Sequence, residues 1–339
     1  MKKLKLMSWK LTMIAVIVAL TAACGNNGGN GGNEQAASPS PTAEATAEAT
    51  EQPAATEAPA ENLVDEAQVE ELLAQFKNQE PTKLIAMSVA LTELFDALGV
   101  APAGVPVTSS KLPAAFDALP RVGSSHQPDL EVIAGLQPDA VIGPASIKEN
   151  LEKQFSAAKL PTAYLPADSL DELKLSTVVL GRLLKKEAEA DALIKKFNED
   201  EKAAMAAVEG KTAPSVLVLF GSAESLMFMN ENTYVGSLVK NLGGKNVVSD
   251  VLKLTETYTP LDMESVVTAN PDIILLVAHG DPEAVAKKLE EDVKNGGAWD
   301  KLNAFKNDKL IALDYGLFGI ASLPKAVSAY NELAGILYE

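Results

Sequence analysis

Asp129-Leu130-Glu131-Val132-Ile133-Ala134-Gly135-Leu136-Gln137-Pro138-Asp139-Ala140-Val141-Ile142 has an echo later in the chain, Asp262-Met263-Glu264-Ser265-Val266-Val267-Thr268-Ala269-Asn270-Pro271-Asp272-Ile273-Ile274-Leu275. In both copies an aspartate stands two places before a glutamate, and the glutamate seven places before a proline. Each leading aspartate is a natural helix N-cap, and each glutamate sits in the first turn, where the helix dipole favours negative charge. Each Pro-Asp then punctuates the start of an apolar strand. A capped helix feeding a strand, twice and in one register, predicts two α/β lobes built to the same plan.

Outward from the first copy, Asn62 to Phe76 carries apolar residues at helical spacing, and Lys83 to Met87 reads as a short strand. Ser88 is placed to cap a helix ending at Gly99, and Val100 to Val107 reads as a second strand broken by prolines. Around the second copy, Ser215 to Phe220 reads as a strand and Tyr234 to Leu242 as a helix stopped by Gly243-Gly244. Ser169 to Val208, rich in Leu, Lys, Glu and Ala, reads as one long helix. The predicted architecture is α/β: two Rossmann-like lobes, residues 61–168 and 211–339, joined by a rigid linking helix over 169–210, with a ligand cleft between the lobes. Lobes joined in this way should hinge little.

The first 60 residues carry a different message. Lys2, Lys3, Lys5 and Lys10 precede the apolar stretch Leu11 to Leu20 and the small residues before Cys24. The apolar part is too short to span a bilayer, so residues 1–23 read as a secretory signal. Cys24 is the only cysteine among 339 residues, which excludes an intrachain disulfide. Its position resembles the bacterial lipobox, whose cysteine is lipidated after cleavage, although Thr21 stands three places before it. The alternative is an ordinary cleaved secretory protein with a spare thiol. Residues 24–60, mainly Gly, Asn, Ala, Thr, Glu, Pro and Ser, cannot offset ordering entropy by burial and read as a disordered tether. The expected location is the extracytoplasmic face of the cell membrane, held by a lipid anchor. Loss of four lysines with the signal would take the formal charge from −17 to −21. Such an acidic body excludes nucleic acid as a partner.

Only two histidines occur, His126 in Val122-Gly123-Ser124-Ser125-His126-Gln127-Pro128 and His279 after the apolar run Ile273 to Ala278. Each falls where a loop beyond an α/β unit overhangs a crevice. Haem iron takes axial ligands on its two faces, so one imidazole from each lobe can clamp it. A bare zinc or manganese site is the weaker reading, since it usually needs three or four ligands. The propionates of haem b would need donors from this acidic body. Ser88 and Val89 open a helix whose free N–H groups suit an anion, and Lys111 is a candidate cation. The plainer alternatives are a simple cap at Ser88 and a solvated surface lysine at Lys111. No nucleophile–base pair, phosphate-binding glycine loop or metal-hydrolase motif stands out, so catalysis is not expected.

Ser88-Val89-Ala90-Leu91-Thr92-Glu93, Gly104-Val105-Pro106, Lys111-Leu112-Pro113, Val122-Gly123 with Pro128-Asp129, Tyr234-Val235-Gly236, Gly243-Gly244-Lys245-Asn246, Asn270-Pro271-Asp272 and Ala278-His279-Gly280 together resemble the haem-receptor lipoproteins of the IsdE type. The resemblance covers roughly residues 82 to 338. It implies a monomeric receptor that passes haem, as transported ligand, to the permease of an ABC importer, with an upstream haem donor possible. It also implies one axial ligand per lobe: His279 in the second, and in the first a position that is typically methionine but holds His126 here. Bis-histidine ligation follows, with a lower reduction potential than a Met/His site and weaker binding in acid, where imidazole is protonated. Met87, Met227, Met229, Tyr234 and Tyr315 are the other candidates for an axial position. Glu131 and Glu264 are implied as carboxylates that dock onto permease arginines. A ferric-siderophore or corrinoid receptor is the alternative within the same class. An extracytoplasmic metal- or haem-dependent enzyme is the alternative from another.

Overall fold

The echo is geometric as well as lexical. The computed structural model describes residues 64–77, 80–222, 225–279 and 301–338, with Val285, Lys287, Leu289 and Glu291 in between. Signal, Cys24 and tether lie outside the described residues. The first lobe runs α1 (Glu66–Leu73), β1 (Leu84–Ala86), α2 (Val89–Ala97), α3 (Leu130–Leu136), β2 (Ala140–Pro144), α4 (Lys148–Ala158) and β3 (Thr162–Leu165). Helices α5 (Leu170–Leu183) and α6 (Glu187–Ala206) follow. The second lobe holds β4 (Ser215–Gly221), β5 (Leu226–Met229), α7 (Tyr234–Asn241), β6 (Lys245–Asn246), α8 (Val247–Asp250), β7 (Tyr258–Pro260), α9 (Met263–Ala269) and β8 (Ile273–Ala278). It continues through α10 (Asn303–Lys306), β9 (Leu310–Leu313), α11 (Tyr315–Phe318) and α12 (Leu323–Tyr338).

Asp129 and Asp262 cap α3 and α9 by accepting from the N–H groups of Val132 and Ser265. Both helices end on a left-handed residue, Gln137 at φ 51° and Asn270 at φ 43°. The next aspartate then ties two strands together. Asp139 accepts from the backbone N–H groups of Thr82 at 2.7 Å and Lys83 at 3.0 Å, just ahead of β1. Asp272 accepts from the N–H of Ser215 at 3.0 Å and its hydroxyl at 2.7 Å, at the start of β4. The pairs β1–β2 and β4–β8 are both parallel and begin from these clasps.

Burial alone would raise the Asp272 carboxyl, but hydrogen bonds from Ser215 and Asn303 outweigh it and hold the group below its ordinary range. A depressed folded value adds stability that is complete above the unfolded pKa and fades as pH falls through the folded one. Asp272→Asn should therefore cost about 1–2 kcal/mol at pH 7. In urea titrations that gap should narrow once pH falls below about 4. An undiminished gap at pH 3 would mean that the carboxylate charge contributes nothing.

The first sheet has the order β1-β2-β3, all parallel; the second has the order β7-β5-β4-β8-β9, with β6 also on β4. The amide of Gln75 covers the outer edge of β3, donating to the Tyr164 carbonyl at 3.0 Å and accepting its N–H at 2.8 Å. Val100 to Val107 is not a strand: only Gly104 and Val105 make isolated bridges, to Ile85 and Arg121. Pro102 and Pro106 flank that pair and have no N–H to give a ladder.

The linking stretch is two helices and not one: α5 ends at Leu183, α6 starts at Glu187, and Lys185 in the turn between them takes φ 56°. Rigidity comes from packing. A single buried apolar cluster runs from Ala86, Ile142 and Leu165 through Leu180, Ile194 and Phe197 to Val218, Leu275 and Leu333. Beside it, Glu201 of α6 accepts from the Tyr330 hydroxyl of α12 at 2.5 Å and the Asn241 amide of α7 at 2.8 Å, and pairs with Lys174 of α5 at 3.5 Å. A continuous core and a shared polar node oppose hinge motion between the lobes. Among the described residues no helix is long and apolar enough to cross a membrane.

Candidate functional site

Ligand-facing loops of parallel sheets lie beyond the C-terminal strand ends. In the first lobe β1 leads into Met87 and Ser88, and the Ser88 hydroxyl caps α2 by accepting the Leu91 N–H at 3.3 Å. The His126 loop is fastened to the same strand end, because the Ser125 hydroxyl donates to the Met87 carbonyl at 2.6 Å. From the other side the Gln154 amide donates to the His126 carbonyl at 3.2 Å. Gly123 closes this loop at φ 84°, where a Cβ would lie 2.4 Å from the Asp129 nitrogen and 2.5 Å from the Gln127 oxygen. Any side chain there would break the turn. Ser88, Val89 and His126 thus converge on one end of β1, and His126 is exposed.

In the second lobe His279 is the first residue beyond β8. Its N–H donates to the Gly221 carbonyl at 2.8 Å, so it sits on the last rung of the central β4–β8 ladder, exposed. The Tyr315 ring stacks on the imidazole at 5.2 Å and 12°. Phe220 lies 6.5 Å from His279, and Tyr258 stands edge-on to Phe220 at 6.2 Å. These four rings form one contiguous wall. Tyr258 keeps 41 % exposure, yet crowding by the surrounding protein, then the nearby Asp168, Tyr315 and Glu172, push its phenol up to about 12. Burial also raises the Tyr315 phenol. Both rings are therefore neutral at physiological pH.

Asp168, at the end of the first lobe, and Glu172, on α5, lie close enough to Tyr258 to act on its phenol. Burial raises the Asp168 carboxyl against a hydrogen bond from Ser146 that lowers it. Glu172 is raised by burial too, and it accepts the Asp168 N–H at 2.6 Å, closing the cap of α5. A cavity of about 810 Å³ adjoins the wall. Lys111 and the Glu93, Asp96 and Ala97 side of α2, but not Ser88 or Val89, line it from the first lobe, and Tyr315, Ile320 and Lys325 from the second. Lys325 pairs there with the buried Glu93 at 2.6 Å.

The sequence-selected residues are therefore grouped lobe by lobe. Among the described residues no direct contact joins His126 to His279. Glu131 and Glu264 are exposed in the first turns of α3 and α9, at equivalent places of the repeat. Of the other axial candidates, Met87, Met229 and Tyr234 are core residues at 0 %, 4 % and 4 % exposure, whereas Tyr315 borders the crevice. No group of three or more His, Cys, Asp or Glu forms a metal-binding cluster among the described residues. Sequence reasoning passed over Phe220, Tyr258, Lys325 and Asp168. The repeat held a signal for one of them: Tyr258 stands four places before Asp262, as Ser125 of the His126 loop stands four before Asp129.

Residues 84–315 match the periplasmic binding protein family. The chain belongs to that family. Its members are substrate-binding transport proteins of two lobes and a cleft, not an enzyme class. The chain is 30 % identical over 268 residues to the high-affinity heme uptake system protein IsdE of Staphylococcus aureus, covering 77 % of this chain and 91 % of that protein. A solved ABC transporter substrate-binding protein from Listeria monocytogenes superposes with a TM-score of 0.70 at 35 % identity, covering 76 % of this chain and 99 % of that one. The structure of S. aureus IsdE complexed with heme gives a TM-score of 0.71 at 28 % identity, with the same two coverages, 76 % and 99 %. The predicted resemblance and two-lobed α/β fold are thereby borne out.

Proposed function

We propose that this protein captures haem outside the cytoplasm and delivers it to an ABC importer. The observation that carries the reading is the exposed His279 set into a wall of three neutral aromatic rings, with a second exposed imidazole, His126, on the first lobe. An aromatic wall suits a flat apolar macrocycle, and an imidazole within it suits its iron. Haem binding by relatives supports the same ligand. In this reading His279 and His126 are the two axial ligands. The Ser88 and Val89 end of α2 and the Lys111 amine receive the propionates. Cys24 carries the lipid anchor, residues 24–60 the tether, and the lobes extend over 61–168 and 211–339 about the 169–210 linker. A purified chain mixed with ferric hemin should give a one-to-one complex with a six-coordinate low-spin spectrum. No Soret shift with hemin would turn the assignment toward a siderophore or corrinoid ligand.

Glu131 and Glu264 are the docking carboxylates of this reading, one on each lobe for a two-fold permease. Charge reversal of both, Glu131→Lys with Glu264→Lys, should cut haem-dependent uptake by about tenfold or more while hemin affinity holds. Undiminished uptake would leave these side chains with helix-dipole stabilisation alone.

A further inference from the structure

We propose that Tyr315 sets the orientation of the His279 imidazole, and that Gly319 is the space which lets it do so. The inference rests on the haem reading and adds a positioning residue to it. Ligating histidines usually have their second ring nitrogen held by an acceptor, which fixes the ring plane. Among the described residues no hydrogen bond holds either ring nitrogen of His279. Its nearest support is the parallel face of Tyr315 at 5.2 Å and 12°, with Phe220 tilted at 6.5 Å.

Tyr315 is itself clamped. It opens α11, which Asp314 caps by accepting the Leu317 N–H at 3.1 Å, and its carbonyl accepts the Gly319 N–H at 2.9 Å. Gly319 has an ordinary φ of −80°, so its backbone does not require glycine. Space does: a Cβ there would lie 2.3 to 2.6 Å from three Tyr315 ring atoms. The tyrosine ring is thus bounded by the Gly319 backbone and by the imidazole. A ring held in this way limits rotation of its stacked neighbour, as a hydrogen-bond acceptor would, without occupying the nitrogen that binds iron.

The test compares the full chain with Tyr315→Phe, Tyr315→Ala, Gly319→Ala and His279→Ala as ferric hemin complexes, by electron paramagnetic resonance and hemin off-rate. Tyr315→Phe keeps the stack and should match the wild type in g-values and off-rate. Tyr315→Ala should broaden or shift the low-spin signal and raise the off-rate about three- to tenfold, the size expected for losing one aromatic pair. Gly319→Ala should shift the g-values by displacing the ring; if that variant does not fold, the two Tyr315 variants decide alone. A Tyr315→Ala complex with wild-type g-values and an off-rate within twofold overturns the inference. His279→Ala separates the two levels: if it leaves the wild-type spectrum unchanged, the ligand assignment itself is wrong, whatever Tyr315 does.

Discussion

Ferric hemin titrated into His279→Ala should bind about 100-fold more weakly than to the wild type, and its spectrum should lose six-coordinate low-spin character. His126→Ala should cost less, about tenfold, although it removes the same kind of nitrogen. The asymmetry follows from how each ring is carried. His279 continues a fully buried strand, is bonded through its N–H to Gly221 and lies inside an aromatic wall. His126, itself exposed, rides on a half-buried four-residue turn held by the Ser125 hydroxyl and the Gln154 amide. A preorganised ligand loses less freedom on binding, so removing it forfeits more affinity. Equal small effects in both variants would reject bis-histidine ligation, and an effect at His279 alone would move the first-lobe ligand elsewhere.

The fold was legible because the repeat encodes it locally. Asp129 and Asp262 act through their own helices, and Asp139 and Asp272 through the residues at the start of the neighbouring strand. Strand limits at β1 and β4 fall within a residue or two of the apolar runs. What the sequence hid was tertiary. The turn at Lys185 interrupts a stretch whose composition is helical on both sides, and its one mark is Gly181 four places earlier, where a Cβ would lie 2.6 Å from the Ala190 Cβ of α6. The aromatic wall was hidden for the same reason: Phe220, Tyr258, His279 and Tyr315 come from four different strand ends. Only parallel pairing of β4, β8 and β9, with β7 returned beside β5, sets them side by side. The repeat also corrects the simple image of two equivalent histidines. His279 stands seven places after Asp272, so its first-lobe equivalent, seven places after Asp139, is Ser146, not His126. The histidines occupy different levels of the repeat, one before its helix and one after its strand.

Lys325→Ala should destabilise the chain by about 2–3 kcal/mol, between the values for an exposed and a fully buried ion pair. Lys325 lies on α12 and Glu93 on α2, so this pair ties a first-lobe helix to a second-lobe one. Their burial is unequal. The glutamate side chain is 9 % exposed and the lysine 38 %, so the cost of the mutation falls on the partner left behind. Among the described residues Glu93 Oε2 already has no hydrogen-bond partner, and loss of the amine would leave the whole carboxylate buried and unpaired. The neighbouring Tyr234 phenol offers little relief: burial, then the Glu93 charge, push its pKa up, and its hydroxyl is 3.5 Å from the Ser322 carbonyl. An apolar pair, Glu93→Leu with Lys325→Met, should therefore recover most of the loss, since removing both charges removes the desolvation penalty with them. Urea titration of Glu93→Leu, Lys325→Met and the double variant measures the coupling directly. Additive single effects would show that the pair contributes nothing as a pair.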